Sequence, residues 1–112
     1  MPHSGPGFYV ELGPARSLTL RGELDMATVQ DLQAKIDEIM VPGQPVVLDL
    51  AQLTFLDSSA IHLFIRTCAS SGHPVVLRET TSTVRRILDL ADGQLHPEAW
   101  VFEPDGHDPN VV

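Results

Sequence analysis

Asp57-Ser58-Ser59 is the stretch whose residue types and spacing suit chemistry. It stands between an apolar run, Pro45 to Leu50, and a stretch with helical periodicity. Open α/β sheets present their sites at such a place, the carboxyl end of a strand. A serine at a helix start can cap it by accepting a free backbone N–H. It can equally receive a phosphoryl group, because the free N–H groups and the helix dipole favour an anion there. Capping is the commoner use of an arbitrary Asp-Ser-Ser.

Other chemistries fit less well. Ser58 is not in a Gly-x-Ser-x-Gly elbow. His62 lies one helical turn on, but a hydrolase also needs an orienting acid and a substrate pocket. A solvated histidine is the expectation. His3, His62, His73, His96 and His107 are scattered without ligand spacing, and Cys68 falls on an apolar stripe. No metal site is therefore expected. No Gly-rich phosphate loop appears, so no nucleotide cofactor is expected either. A phosphate-accepting receiver domain would place Asp49 or Asp57 at a strand end. It also needs an early acidic pair to hold Mg²⁺ and a late lysine. Leu20-Arg21-Gly22-Glu23 supplies no such pair, and the single lysine, Lys35, falls in the first helix. Arg85-Arg86 reads as a solvated helix face or a partner contact.

The elements that must position the triplet follow from periodicity. Phe8 to Leu12 and Ser17 to Arg21 alternate apolar and polar residues around Gly13-Pro14, which predicts an antiparallel hairpin. Gly22-Glu23-Leu24-Asp25 is expected to break the second strand. Val29, Leu32, Ile36, Ile39 and Met40 predict a helix over Met26 to Met40, with Asp25 as its N-cap and Pro42-Gly43 as its end. The run Pro45 to Leu50 predicts a central strand covered on both faces, followed by a turn. Ile61, Phe64, Ile65 and Cys68 fall at i, i+3, i+4 and i+7, a core-facing helical stripe ended by Ser70-Ser71-Gly72. Val75-Val76-Leu77 reads as a further strand. Thr80-Thr81-Ser82 caps a helix carrying Val84, Ile87, Leu88 and Ala91, and Trp100-Val101-Phe102 reads as a last strand.

The order is β-β-α-β-α-β-α-β. The strand–helix–strand crossovers predict a mixed α/β sheet of about four to five strands with helices packed on it. The 112 residues are enough for one core without staples. The domain is expected over 8–103, with flexible tails at 1–7 and 104–112. A formal charge of −8 argues against nucleic acid and anionic membranes as partners. No apolar run approaches the roughly 20 residues of a membrane span. The first seven residues, Met1 to Gly7, lack the basic start of a secretory signal. A lone cysteine fits a reducing compartment, and a cytoplasmic protein, monomeric when free, is the expectation.

Four stretches in register resemble the STAS domain: Gly22-Glu23-Leu24-Asp25, Val46 to Leu50, Phe55-Leu56-Asp57-Ser58-Ser59 and Thr83 to Leu90. The similarity runs from about Phe8 to Phe102, and the family includes the bacterial anti-sigma factor antagonists. The resemblance implies a switch protein and not an enzyme. An antagonist of this kind binds an anti-sigma factor that is also a serine kinase, which releases the sigma factor. Phosphorylation of the serine after the motif aspartate, here Ser58, then breaks the complex, and a phosphatase resets it. Asp25 matches the family's acidic partner-contact position. The expected docking surface comprises Asp25, Asp57, Ser58, Ser59, His62 and Arg66. Ala60 stands where the motif usually has glycine, and His62 is unusual at its place. A second role within the same fold is a non-phosphorylated interaction module, such as an accessory subunit of a transporter or signalling complex.

Overall fold

The computed structural model describes residues 7–92 and 98–103, without the side chain of Asp92. Residues 1–6 of the expected 1–7 tail and the whole of the expected 104–112 tail lie outside these residues, as do His3, His96 and His107. Strands β1 (Phe8–Leu12) and β2 (Leu18–Leu24) pair antiparallel, Leu12 opposite Leu18 and Phe8 opposite Gly22. Their connection is a 3₁₀ turn at Pro14–Arg16, where Ala15 and Arg16 take positive φ values of 55° and 63°. Positive φ at both central residues matches the right-handed twist of the strands it joins. Helix α1 (Val29–Ile39) leads to β3 (Val47–Leu56), α2 (Ser58–Ser71) to β4 (Val75–Arg78), and α3 (Ser82–Asp92) to β5 (Trp100–Phe102). The sheet order is β1-β2-β3-β4-β5, and the pairs from β2 onward are parallel. This is the expected mixed α/β sheet with its helices as crossovers.

Two strands run further than periodicity suggested. The β2–β3 register shifts between Thr19 and Arg21 and again between Gly22 and Glu23, each time adding a residue on β3. Such bulges leave a residue unpaired and reset which side chains face inward. The buried residues of β3 are therefore Leu48, Leu50, Leu53 and Leu56, at spacings of two, three and three. The turn expected after Leu50 is absent. Instead the strand continues to Leu56. Likewise Gly22-Glu23-Leu24 continues β2 instead of breaking it. The coverage of β3 also differs from expectation. Val47 and Asp49 are only half-buried, so one face of the strand carries the core.

That core joins Leu20, Leu24, Leu48 and Leu56 of the sheet to Ile36 of α1 and Phe64 of α2. Phe64 meets Trp100 of β5 edge to face, with ring centroids 6.2 Å apart. The contact fixes α2 over the far strand of the sheet. Gly72, at φ 83°, ends α2 in a left-handed cap whose N–H donates to the Cys68 carbonyl. Thr81 caps α3, its Oγ1 accepting from the Val84 N–H at 3.3 Å.

Gly22 is required by close approach. Its φ is 98°, and a Cβ there would stand 1.9 Å from the Gly7 carbonyl oxygen. Gly22→Ala should cost about 1–3 kcal/mol, the usual magnitude for strain at a special backbone position. Urea unfolding checks this, and a midpoint equal to the parent's would remove the argument.

Candidate functional site

The register brings two acidic residues together. Leu24 and Leu56 are partners at the carboxyl ends of β2 and β3. The next residue on each strand is therefore Asp25 and Asp57. The Asp57 N–H donates to the Leu24 carbonyl at 3.2 Å, and Asp57 Oδ2 accepts from the Met26 N–H at 3.2 Å. Asp57 thus holds the chain on both sides of Asp25.

The other oxygen of Asp57 caps α2. Its Oδ1 accepts from the Ser59 N–H at 2.9 Å and from the Ser59 hydroxyl. Asp57 has extended backbone angles, φ −125° and ψ −169°, as an N-cap requires. The serines were candidates for this role, and the carboxylate performs it instead. Ser59 is half-buried and bound to the cap. Ser58 is exposed, and its hydroxyl makes no hydrogen bond to any described residue.

Asp25 differs from expectation. It does not cap α1, which starts at Val29 after Thr28. Its Oδ1 accepts from the Ala27 N–H at 2.9 Å and the Thr28 N–H at 3.2 Å, closing a turn before the helix. Thr28 Oγ1 donates in turn to the Glu23 carbonyl at 3.0 Å. Asp and Asn favour such local side-chain bonds, and this one delays the helix by a turn.

Ser58, His62 and Arg66 occupy successive turns of the exposed face of α2. The opposite sides carry Ile61 and Phe64, as the stripe predicted, and also Ala60 and Leu63. Ala60 is fully buried, so the small side chain at that motif position packs in the core. Arg66 reaches across to α1, donating to Gln33 Oε1 at 3.2 Å. The structure therefore gathers Asp25, Asp57, Ser58 and Ser59 at one pole. His62 sits one turn along α2. Arg66 lies at the far end of the strip, with no ion pair to either aspartate among the described residues.

Met26 joins this surface, and Phe55 is exposed on the strand that leads to it, neither of which sequence reasoning found. Met26, whose N–H binds Asp57, is 75% exposed. Phe55, two residues before Asp57, is 41% exposed. Met26 lies three residues before Val29, so it matched the helical stripe. Only the late start of α1 releases it to solvent. Phe55 is turned outward by the second bulge of β3.

The model of the family described as Mlab, STAS domain, matches residues 10–93. The chain belongs to the STAS domain family. Its structure is similar to that of the anti-sigma factor antagonist SpoIIAA in its unphosphorylated form, with a TM-score of 0.61 and 22% identity over 95% of this chain and 96% of that one. A weaker likeness is to an uncharacterized protein of the DUF3478 family with a SpoIIAA-like fold from Shewanella loihica PV-4. There the TM-score is 0.47 and the identity 14%, over 96% of this chain and 94% of that one. No curated protein matches the sequence. Among the described residues of this STAS domain, no helix is long and apolar enough to cross a membrane.

Electrostatics tie the cap to pH. Partial burial alone would raise the Asp57 carboxyl. Hydrogen bonds from the Ser59 hydroxyl and from the backbone N–H groups of Ser59 and Met26 outweigh it and hold the group below the usual carboxylate range. In the unfolded chain the group titrates near an ordinary aspartate's value of about 3.9. Between the folded and unfolded values the unfolded chain binds more protons, so stability rises with pH. The stabilisation is complete above the unfolded value and is lost as pH falls through the folded one. Asp57→Asn keeps a capping oxygen but removes the titration. In urea unfolding between pH 5 and pH 2.5, the parent should lose more stability on acidification than Asp57→Asn. Parallel pH profiles would show that the carboxylate is not linked to folding.

Proposed function

We propose that this STAS domain is a partner-switching protein of the anti-sigma factor antagonist type. In this reading it docks an anti-sigma factor serine kinase, which frees a sigma factor. Transfer of a phosphoryl group to Ser58 ends the complex. The docking surface comprises Asp25, Asp57, Ser58, Ser59, His62 and Arg66, with Met26 as its exposed apolar residue. The domain extends over 8–103 and works in the bacterial cytoplasm, without a cofactor and without chemistry of its own.

The observation that carries this reading is the division of labour between Asp57 and the serines. Because the carboxylate caps α2, the exposed Ser58 hydroxyl is left without a structural task. It can be modified without uncapping the helix. The γ-phosphoryl group would pass from ATP to Ser58 Oγ, with the hydroxyl proton taken up by the kinase and ADP leaving. The product adds −1.5 to −2 charges at neutral pH. On a surface already carrying Asp25 and Asp57, that charge opposes any acidic or apolar partner surface by repulsion and desolvation cost. The likeness to SpoIIAA, whose structure is that of an unphosphorylated antagonist, supports the same reading.

The family match also supports a second reading. A STAS module without phosphorylation, such as an accessory subunit of a transporter or signalling complex, would use the same surface as a constant docking site. A histidine-kinase-like ATPase encoded beside this chain favours the antagonist, and an ABC transporter favours the accessory role.

The two readings separate by intact-protein mass after incubation with ATP and a lysate of the source cells. One added phosphate on the parent and none on Ser58→Ala is expected. An unmodified parent that nevertheless holds a kinase-type partner from that lysate would support the constant module. Ser58→Asp should weaken binding of the purified partner at least tenfold, about 1.4 kcal/mol. Its circular dichroism should match the parent's, and an unfolded variant would overturn the interpretation.

A further inference from the structure

We propose that His62 is the counter-group for a phosphate on Ser58, so that the modified state is sensitive to pH. The proposal rests on the reading of Ser58 as the phosphoacceptor. A phosphate at a helix N-terminus ordinarily uses the free N–H groups there. In this chain the Asp57 carboxylate already takes the Ser59 N–H, and the Ala60 and Ile61 N–H groups bond the Asp57 carbonyl. The same carboxylate repels a dianion beside it. Of the first N–H groups of α2, only that of Ser58 itself has no acceptor among the described residues, so any further partner for the phosphate lies along the exposed face of α2.

His62 is the group within reach. Residues four apart on a helix stand about 5–6 Å apart at Cβ. Helical side chains lean toward the N-terminus, so the His62 imidazole inclines toward Ser58. His62 is exposed and makes no hydrogen bond or ion pair to a described residue. Arg66 is a poorer candidate. It begins about 12 Å along the axis from Ser58 and is held by Gln33 of α1.

The charged surroundings of His62 are limited. Asp57 and Arg66 share its helix, and half-buried Asp25 lies in the turn that Asp57 holds. α1 meets this side of α2 through uncharged Gln33, whose amide also donates to Asp37 Oδ1 at 3.2 Å. The strands lie on the opposite side, against Ile61 and Phe64. A dianion on Ser58 would be the largest charge near the ring. Protonated imidazole would offset about one charge of the phosphate, and neutral imidazole none. Phosphorylation would then oppose partner docking more strongly at pH 8 than at pH 6.

The test installs phosphoserine at position 58 by codon reassignment, so that it does not depend on any kinase. The ³¹P chemical shift is followed from pH 4.5 to 9 in the parent, His62→Gln and His62→Lys. Against His62→Gln, the second phosphate ionisation of the parent should be lowered by about half a pH unit, the scale of an exposed charge pair. His62→Lys should restore or exceed the lowering. Superimposable titrations of the parent and His62→Gln would overturn the proposal and leave the role of Ser58 untouched. Lowered ionisation in a protein that its partner kinase never phosphorylates would instead overturn the reading on which the proposal stands.

Discussion

The Asp57 carboxylate is the contact on which the candidate site depends. One oxygen starts α2 and the other fixes the backbone after β2. Without it, the two parallel strand ends would still be adjacent through the sheet. The turn carrying Asp25 and Met26 would not be tied to the helix carrying Ser58. A carboxylate suits this double task because it offers two oxygens and only accepts. Three hydrogen bonds, two of them from Ser59, keep it ionised despite partial burial. The pole is thus preorganised by backbone donors, and the exposed side chains around it need not hold one another.

The sheet reaches that pole by means of its bulges. β3 has ten residues against four in β4, and its second half runs past the β4 partner strand. The two register shifts against β2 let this long strand keep four leucines inward while Thr54 and Phe55 turn out. Thr54 Oγ1 uses its outward place to donate to the Gly22 carbonyl at 3.0 Å. Gly22 itself lies at the second shift, where only a residue without Cβ fits under Gly7. The glycine of Gly-Glu-Leu-Asp and the bulged run before Asp57 are therefore parts of one device. Together they place Asp25 beside Asp57.

Most of the architecture was legible in the sequence because the helices have clean 3.6-residue stripes and the second hairpin strand, Ser17 to Arg21, alternates apolar and polar residues. Ile61 and Phe64 are buried as their spacing predicts, and the hairpin from Phe8 closes as its turn residues predict. Reading failed where a local device breaks the period. The inward spacing of three in β3 imitates neither a strand nor a helix, so the strand was cut at Leu50. Asp25 carries the residue type of an N-cap, but its side chain closes a turn one step earlier. The triplet could be found from its place after an apolar strand. Which of its three side chains is the cap could not, because Asp and Ser cap helices about equally well. The choice depends on the reach of Asp57 to Met26, a contact across 31 residues.

The distribution of roles within Asp57-Ser58-Ser59 bears on how a switch could work here. Ser59 is bound to the cap, so a group added to its hydroxyl would remove a hydrogen bond that starts α2. A group added to Ser58 removes none among the described residues. The nearest buried neighbours in sequence, Leu56 and Ala60, point away into the core, which an exposed anion does not enter. A group on Ser58 therefore reaches whatever approaches the surface without breaking a hydrogen bond of the described fold. A binding switch needs that separation. The folded state must be indifferent to a modification that the bound state cannot tolerate. Of the two serines, only Ser58 meets the first condition, since its hydroxyl holds no hydrogen bond among the described residues.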